Sequence, residues 1–183
     1  MATWVLLGVV GIIVLWLIGA YNSLVKGRYG VKNGWAQIDV QLKRRYDLIP
    51  NLVETCKGYL KHERETLEKV IQARNMGLQA SGVKAQAEAN NMLTDTLKSL
   101  FAVVENYPDL KANQNMLALQ EELTSTENKI ASAREFYNDS TARYNTQVQS
   151  FPTNFIANLF KFSPEEFFQA PETEKQAPKV SFS

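Results

Sequence analysis

Residues 33–60, which read NGWAQIDVQLKRRYDLIPNLVETCKGYL, decide the fold. Their apolar side chains recur in steps of mostly three, four and seven residues, at Trp35, Ile38, Leu42, Ile49, Leu52, Val53, Cys56 and Leu60. This spacing places one apolar stripe along a helix, and the charged residues between fill its other faces. Because the stripe continues through Leu67 and Ile71, we predict one long helix over residues 33–76, a length typical of bundles and coiled coils.

Further helices are predicted at about residues 84–106, 113–149 and 154–162. A turn rich in Gly and Ser at residues 77–83 precedes them, and Pro108 and Pro152 separate them, since proline and the residue before it disfavour helix. No period-two strand pattern persists. The expected fold is therefore all-α, an antiparallel, coiled-coil-like bundle of long helices over residues 26–162.

The segment before the bundle is apolar. Residues 2–25 contain no Asp, Glu, Lys or Arg, and roughly 20 apolar residues span a hydrocarbon core about 30 Å thick. A cleaved signal peptide is the alternative, but no basic residue precedes this long run and it ends in a poor cleavage pattern. We predict a retained transmembrane anchor over residues 1–25.

Charge beside the anchor predicts its orientation. Six basic residues and one acidic residue lie between positions 26 and 45, and basic flanks tend to stay on the cytoplasmic side. We expect the N-terminus outside and the bundle in the cytoplasm. Lys26, Arg28 and Lys32 are candidates for contact with anionic lipid headgroups.

The chain ends in a polar tail over residues 163–183, acidic at first and then rich in proline. We expect it to be extended or disordered. Within it, residues 165–168 read EEFF. This acidic aromatic segment either docks on a partner or folds back to cap the bundle.

Residue types exclude several kinds of site. Cys56 and His62 stand alone, and the HExxH zinc pattern that His62 begins fails at Thr66, so we expect no disulfide, metal or cofactor. Asp39 and Asp47, eight residues apart, are the one carboxylate pair an enzyme could use. The net charge of +1 does not favour nucleic-acid binding. We predict a protein that is not an enzyme.

Polar residues on the helical stripes are the candidates for interaction or for setting register: Asp39, Arg44, Arg45, Asp47, Pro50, Glu127, Arg134, Tyr137 and Asn138. Glu127 and Arg134 lie seven residues apart on an apolar face, where an unpaired charge is costly. They either pair inside the bundle with Arg44, Arg45 or Asp47, or belong to a network that binds a partner.

Pro50 lies inside the first long helix. It lacks the amide that would bond to the carbonyl of Tyr46, so we expect a kink that aims the basic flank at the membrane. The freed carbonyl needs another donor, and the candidates are Arg44, Arg45 and Asn138.

Several motifs carry a family resemblance. Residues 35–53, the run YPDLKAN at 107–113, LQEEL at 119–123, FYN at 136–138 and PKVSF at 178–182 occur in the order found in the LemA family. The chain resembles that family from about residue 21 to residue 182. The resemblance implies a bacterial, membrane-anchored, antiparallel four-helix bundle and no agreed activity. Members are discussed as membrane-associated scaffolds, some beside membrane zinc metalloproteases and some in organelle-forming bacteria.

We therefore expect a self-associating, non-catalytic scaffold of the bacterial inner membrane, with lipid and further copies of the chain as its partners. The alternative is an adaptor or regulator of a membrane metalloprotease or another membrane protein.

Overall fold

The computed structural model describes residues 1–169, and the regular secondary structure in that range is all helix, without a strand. Its helices are α1 (Ala2–Lys57), α2 (Arg64–Gln79), α3 (Val83–Val104), α4 (Pro108–Lys111), α5 (Gln114–Gln149) and α6 (Thr153–Leu159). The predicted all-α bundle class is confirmed. The predicted helices after residue 80 differ from α3, α5 and α6 by no more than three residues at either end.

The predicted long helix over residues 33–76 is wrong at both ends. It begins at Ala2, since anchor segment and bundle segment are one helix, and a turn at residues 58–63 breaks it. In that turn the amides of Tyr59 and Leu60 both bond to the carbonyl of Cys56. Leu60 is buried in the turn and Leu67 is buried on α2, so the apolar spacing survives although the chain changes direction.

The chain packs as two compact units, and α1 and α5 contribute residues to both. Unit 2 consists of Ile38–Ser132 with Phe168, and within it four helical segments form an antiparallel bundle. Tyr46 on α1 meets Gly77 near the end of α2, whereas Val53 and Ile71 line one cavity nearer their turn. Gln86 near the start of α3 bonds back to Gly77.

Helix α5 enters unit 2 with a side-chain cap. Oδ1 of Asn113 accepts hydrogen bonds from the amides of Asn115 (2.9 Å) and Met116 (3.2 Å), which would otherwise lack partners at a helix start. The bundle core that these segments enclose contains Leu42, Ile49, Leu52, Cys56, Leu93, Leu100, Leu110 and Met116.

Unit 1 consists of Met1–Gln37 and Ala133–Phe167. Here α1 and α5 run antiparallel along a close seam. A Cβ at Gly27 would lie 2.9 Å from Gln147, and one at Gly34 would lie 3.0 Å from the Cα of Tyr137. The neighbour of Gly34 is backbone, so glycine permits the close approach there, whereas the neighbour of Gly27 is the end of a flexible glutamine side chain.

The N-terminal part of α1 is long and apolar enough to cross a membrane. Its large side chains, from Trp4 to Ile18, are exposed. Such a surface is unfavourable in water and fits a membrane-anchoring helix.

The division into anchor, bundle and tail stays a prediction. Part of the tail, residues 163–169, is described, and residues 163–167 of it belong to unit 1. Residues 170–183 lie outside the described part of the chain.

Candidate functional site

An ion pair between a buried arginine and a half-exposed glutamate joins α1 to α5 in unit 2. Arg45 on α1 is 3% exposed, and its Nη1 donates to Oδ1 of Asn90 on α3 at 2.7 Å. The same nitrogen lies 2.7 Å from Oε2 of Glu127 on α5. We call these three residues the Arg45 cluster. The pairing of Glu127 with Arg45 is one of the pairs expected from the sequence.

Burial lowers the pKa of Arg45, and the charge of Glu127 acts in the opposite direction. A guanidinium nevertheless stays protonated in proteins, so a positive charge is fixed among three helices. A helix slipped along its axis would leave this charge buried without its partners. Buried polar groups of this kind can specify the register of helix packing.

The neighbouring residue anchors a second group of contacts. The hydroxyl of Tyr46 bonds to Oε1 of Gln86 at 3.3 Å, and Nε2 of Gln86 donates to the carbonyls of Gly77 (3.2 Å) and Ala80 (2.9 Å). Those carbonyls belong to the end of α2, where helices leave acceptors without partners. Burial raises the pKa of Tyr46. Gln86 thus joins α1, α2 and α3 through one side chain.

Pro50 leaves the carbonyl of Tyr46 without a helical partner, as the sequence predicts, and Arg74 replaces it. Nε of Arg74 on α2 donates to this carbonyl at 2.9 Å. Arg74 is not among the donors predicted from the sequence. Arg44 pairs with Glu122 and Arg45 belongs to its own cluster, so those two predictions are wrong, whereas Asn138 stays a prediction. Helix α1 continues through Pro50, and the role of a kink stays a prediction.

Replacing Arg74 by Ala is expected to lower the free energy of unfolding by about 1 kcal/mol, because a part-buried carbonyl loses its donor. In a Pro50→Ala background the loss should shrink, since an alanine at that position brings a backbone amide within reach of the same carbonyl. Urea unfolding of the two single variants and the double variant measures this coupling. Equal losses in both backgrounds would show that Arg74 stabilises the fold by another contact.

In unit 1, α5 holds the segment that follows α6, residues 163–167, which we call the C-terminal strap. Nδ2 of Asn145 donates to the carbonyl of Glu165 at 2.9 Å, and its Oδ1 accepts from the amide of Glu165 at 2.8 Å. The hydroxyl of Tyr137 donates to the carbonyl of Glu166 at 2.7 Å. Arg28 on α1 lies 3.8 Å from the Glu165 carboxylate.

The contacts of the strap distinguish the two expectations for the acidic aromatic segment, which were docking on a partner and folding back on its own chain. Backbone hydrogen bonds hold Glu165 and Glu166 on their own chain, and Phe168 is buried. The segment therefore folds back, and it is not free to serve as an extended docking motif. Residues 163–169 form no helix or strand, and Asn145 and Tyr137 supply hydrogen-bond partners for the strap, so the expectation of an extended or disordered tail stays a prediction.

Burial also raises the pKa of Tyr137, and the charges of Glu165 and Glu166 act in the same direction. The ring of Tyr137 meets that of Trp35 edge to face, with centroids 5.8 Å apart. Tyr137 is thus a structural residue shared by α1, α5 and the strap.

The remaining candidates differ in how far they are buried. Asp39, Asp47, Pro50, Lys26 and Lys32 are exposed, and Arg134 and Asn138 are half-buried. Within residues 1–169 no group of three or more metal-binding side chains is present.

Sequence reasoning missed Asn90, Gln86 and Arg74. The sequence could have indicated all three, because each polar residue lies at a position where the spacing of its helix predicts a buried apolar residue. Gln86 and Asn90 precede Leu93 on α3 by seven and three residues, and Arg74 lies seven after Leu67 on α2. A polar residue at a stripe position is expected to have a partner in the core.

Comparisons with known proteins show what this chain is similar to. A family model described as the LemA family matches residues 34–182. Protein LemA of Metamycoplasma hominis is 27% identical over 167 residues, covering 91% of this chain and 76% of that protein. Magnetosome proteins MamQ 2 and MamQ 1 of Paramagnetospirillum magneticum are each 25% identical over 179 residues. Those alignments cover 84% of this chain and 66% of each relative.

Proposed function

Since this chain belongs to the LemA family, we propose that it is a membrane-anchored helical scaffold that self-associates and has no catalytic activity of its own. The observation that carries the proposal is α1. It presents an exposed apolar surface over its N-terminal part and continues without a break into the buried core of the bundle. Such a helix ties a rigid bundle to a membrane without a flexible linker.

The buried clusters support a structural role. Arg45 and Tyr46 are tied to other helices by side chains with fixed partners, which is how a scaffold keeps one shape. Relatives of this chain are named as magnetosome proteins, and the names of the relatives carry no enzymatic activity, which is compatible with a scaffold.

We place the anchor in the bacterial inner membrane with the N-terminus outside. The support is the excess of basic residues after the apolar segment, six against one acidic residue between positions 26 and 45. A C-terminal fluorescent protein that matures only in the cytoplasm is expected to be bright, and a C-terminal phosphatase active only in the periplasm should be silent. The opposite pair of results would reverse the orientation.

Self-association rests on apolar side chains that the bundle leaves exposed. Val40, Met76, Leu78, Met92 and Leu117 in unit 2 are between 45% and 62% exposed. Apolar surface beyond what one bundle buries is available for contacts between copies.

Mass photometry of the full chain in detergent is expected to resolve a species larger than one copy. Replacing Val40 and Leu117 by Ser should shift the distribution towards the monomer, because the exposed apolar area falls. Thr124→Ser on the exposed face of α5 is a matched control and should leave the distribution unchanged. A wholly monomeric parent would argue against the scaffold and favour the alternative, an adaptor or regulator of a membrane protease or other membrane protein.

A further inference from the structure

Helix α6 and the residues beside it expose large apolar side chains outside the anchor segment. Phe151 is 80% exposed, Phe155 64%, Leu159 72% and Phe160 54%. We call these four residues the α6 apolar face. They lie within ten consecutive positions of unit 1, and exposure of so much aromatic surface in a short segment is unusual for a chain surrounded only by water.

The α6 apolar face lies beside the end of the anchor segment. The ring centroid of Tyr21 is 4.8 Å from that of Phe160 and 5.8 Å from that of Phe162. A cavity of about 320 Å³ between the two helices is lined by apolar atoms of Leu17, Ile18, Tyr21, Ile156, Leu159 and Phe160. Residues of α6 that line this cavity with Leu17 and Ile18 therefore lie at the same height along the axis of α1.

This height along α1 is close to the C-terminal end of the apolar run. The charge-free segment ends at Val25, and the first charged side chain is Lys26. Lys26 lies five residues beyond Tyr21, which is roughly 7–8 Å along a helix. Leu17 and Ile18 therefore lie within the apolar run and Tyr21 at its boundary, where aromatic rings are favoured. Helix α6 is held at that boundary.

The turn after α6 adds a positive charge. Lys161 has a φ of 58°, a left-handed conformation that favours glycine. The amide of Phe162 bonds to the carbonyl of Ala157 and that of Lys161 to the carbonyl of Asn158, as in a helix ending that usually carries glycine. Lys161 directly follows Phe160 of the α6 apolar face. A basic residue next to exposed apolar residues is a combination suited to a phosphate headgroup above acyl chains.

We propose that α6 is an interfacial helix whose apolar face is covered by lipid. Phe151, Phe155, Leu159 and Phe160 enter the boundary between headgroups and acyl chains, in the leaflet nearer the bundle, and Lys161 meets lipid phosphate. The inference rests on the proposed membrane anchoring, because α1 determines the depth at which α6 lies. The chain thus contacts the membrane at two places, through its anchor and through the α6 apolar face.

Environment-sensitive labels in the full chain test this inference. Cys56 is replaced by Ala, and single cysteines are introduced by Phe155→Cys, Leu159→Cys, Ile12→Cys in the apolar run and Thr124→Cys at an exposed position of unit 2. Each carries a nitrobenzoxadiazole label, and the protein is reconstituted into vesicles of phosphatidylcholine and phosphatidylglycerol. Aqueous iodide and lipids brominated near the headgroup serve as quenchers.

We expect labels at positions 155 and 159 to be protected from iodide and to be quenched by brominated lipid. A label at position 12 should likewise be protected from iodide, because it lies in the anchor. A label at position 124 should behave in the opposite way, open to iodide and not quenched by brominated lipid. If positions 155 and 159 resemble 124 while 12 is protected, the anchor stands and the inference about α6 is overturned. If position 12 is open to iodide, the proposed anchoring itself fails.

Protection of positions 155 and 159 from iodide without quenching by brominated lipid would also overturn the inference, because a second copy of the chain would then cover the face. Circular dichroism checks that each variant keeps the helicity of the parent. A variant that does not is replaced by Phe151→Cys, since Phe151 is the most exposed residue of the face.

Discussion

Replacing Glu127 by Ala is expected to lower the free energy of unfolding by about 2–4 kcal/mol, because Arg45 keeps its buried charge and loses its carboxylate partner. The expected value lies low in the range for breaking a buried pair because the Glu127 side chain is 41% exposed and Asn90 still accepts from Arg45. Urea unfolding of the full chain in detergent, followed by circular dichroism, measures the loss.

A matched control lies five residues earlier on the same helix. Glu122 pairs with Arg44, but the side chains are 39% and 46% exposed. Glu122→Ala should therefore cost less than about 1 kcal/mol, as is usual for exposed ion pairs. Equal effects of the two substitutions would show that the burial of Arg45 does not determine the stability of unit 2. An Asn90→Leu variant should fall between them, because Glu127 remains to compensate the guanidinium.

Gly77→Ala is expected to destabilise the protein although alanine favours helix. A Cβ at position 77 would lie 2.5 Å from both Cζ and Oη of Tyr46. Tyr46 is buried and its hydroxyl is bonded to Gln86, so its ring has little room to move. Overpacking of this kind costs about 1–3 kcal/mol, which exceeds the gain of at most about 1 kcal/mol from helix propensity. Thermal unfolding measures the net loss.

Gly30→Ala supplies the comparison on α1. Nothing lies within 4 Å of a Cβ built at position 30, so only the propensity term applies. The free energy of unfolding should rise by up to about 1 kcal/mol. If Gly77→Ala stabilised the protein to the same extent, the contact of Tyr46 with α2 would have to be looser than the structure has it.

The sequence predicts the fold class well because the apolar stripes repeat over tens of residues. It cannot locate the turn at residues 58–63, since Cys56, Leu60 and Leu67 follow helical spacing and yet belong to two helices that enclose one core. Periodicity reports which residues are buried, and it does not report whether the chain reverses between them.

The sequence shows which buried polar groups need a hydrogen-bond or ion-pair partner more readily than it shows which residue of another helix supplies that partner. The sequence identifies the freed carbonyl beside Pro50 and the charge of Glu127 on an apolar stripe. The donor Arg74 depends on how α2 returns along α1, and that return was not predicted. Asn90 was within reach of prediction, because a polar residue in phase with Leu93 and Leu97 needs a partner in the core.

Because α1 is one continuous helix, it determines the direction in which side chains of the apolar run point around the helix axis, as well as their connection to the rest of unit 1. Each helical residue turns the chain by about 100° and advances it by about 1.5 Å. The side of the apolar run that meets α6 at Leu17 and Ile18 is therefore held at a set angle to the seam at Gly27 and Gly34. One residue inserted between positions 21 and 27 would rotate the α6-facing side by about 100° relative to the glycine seam. Seven inserted residues would make almost two full turns and return the two sides to within about 20° of their present angle. The length of this charge-poor segment is thereby constrained in steps of two helical turns, whatever its composition.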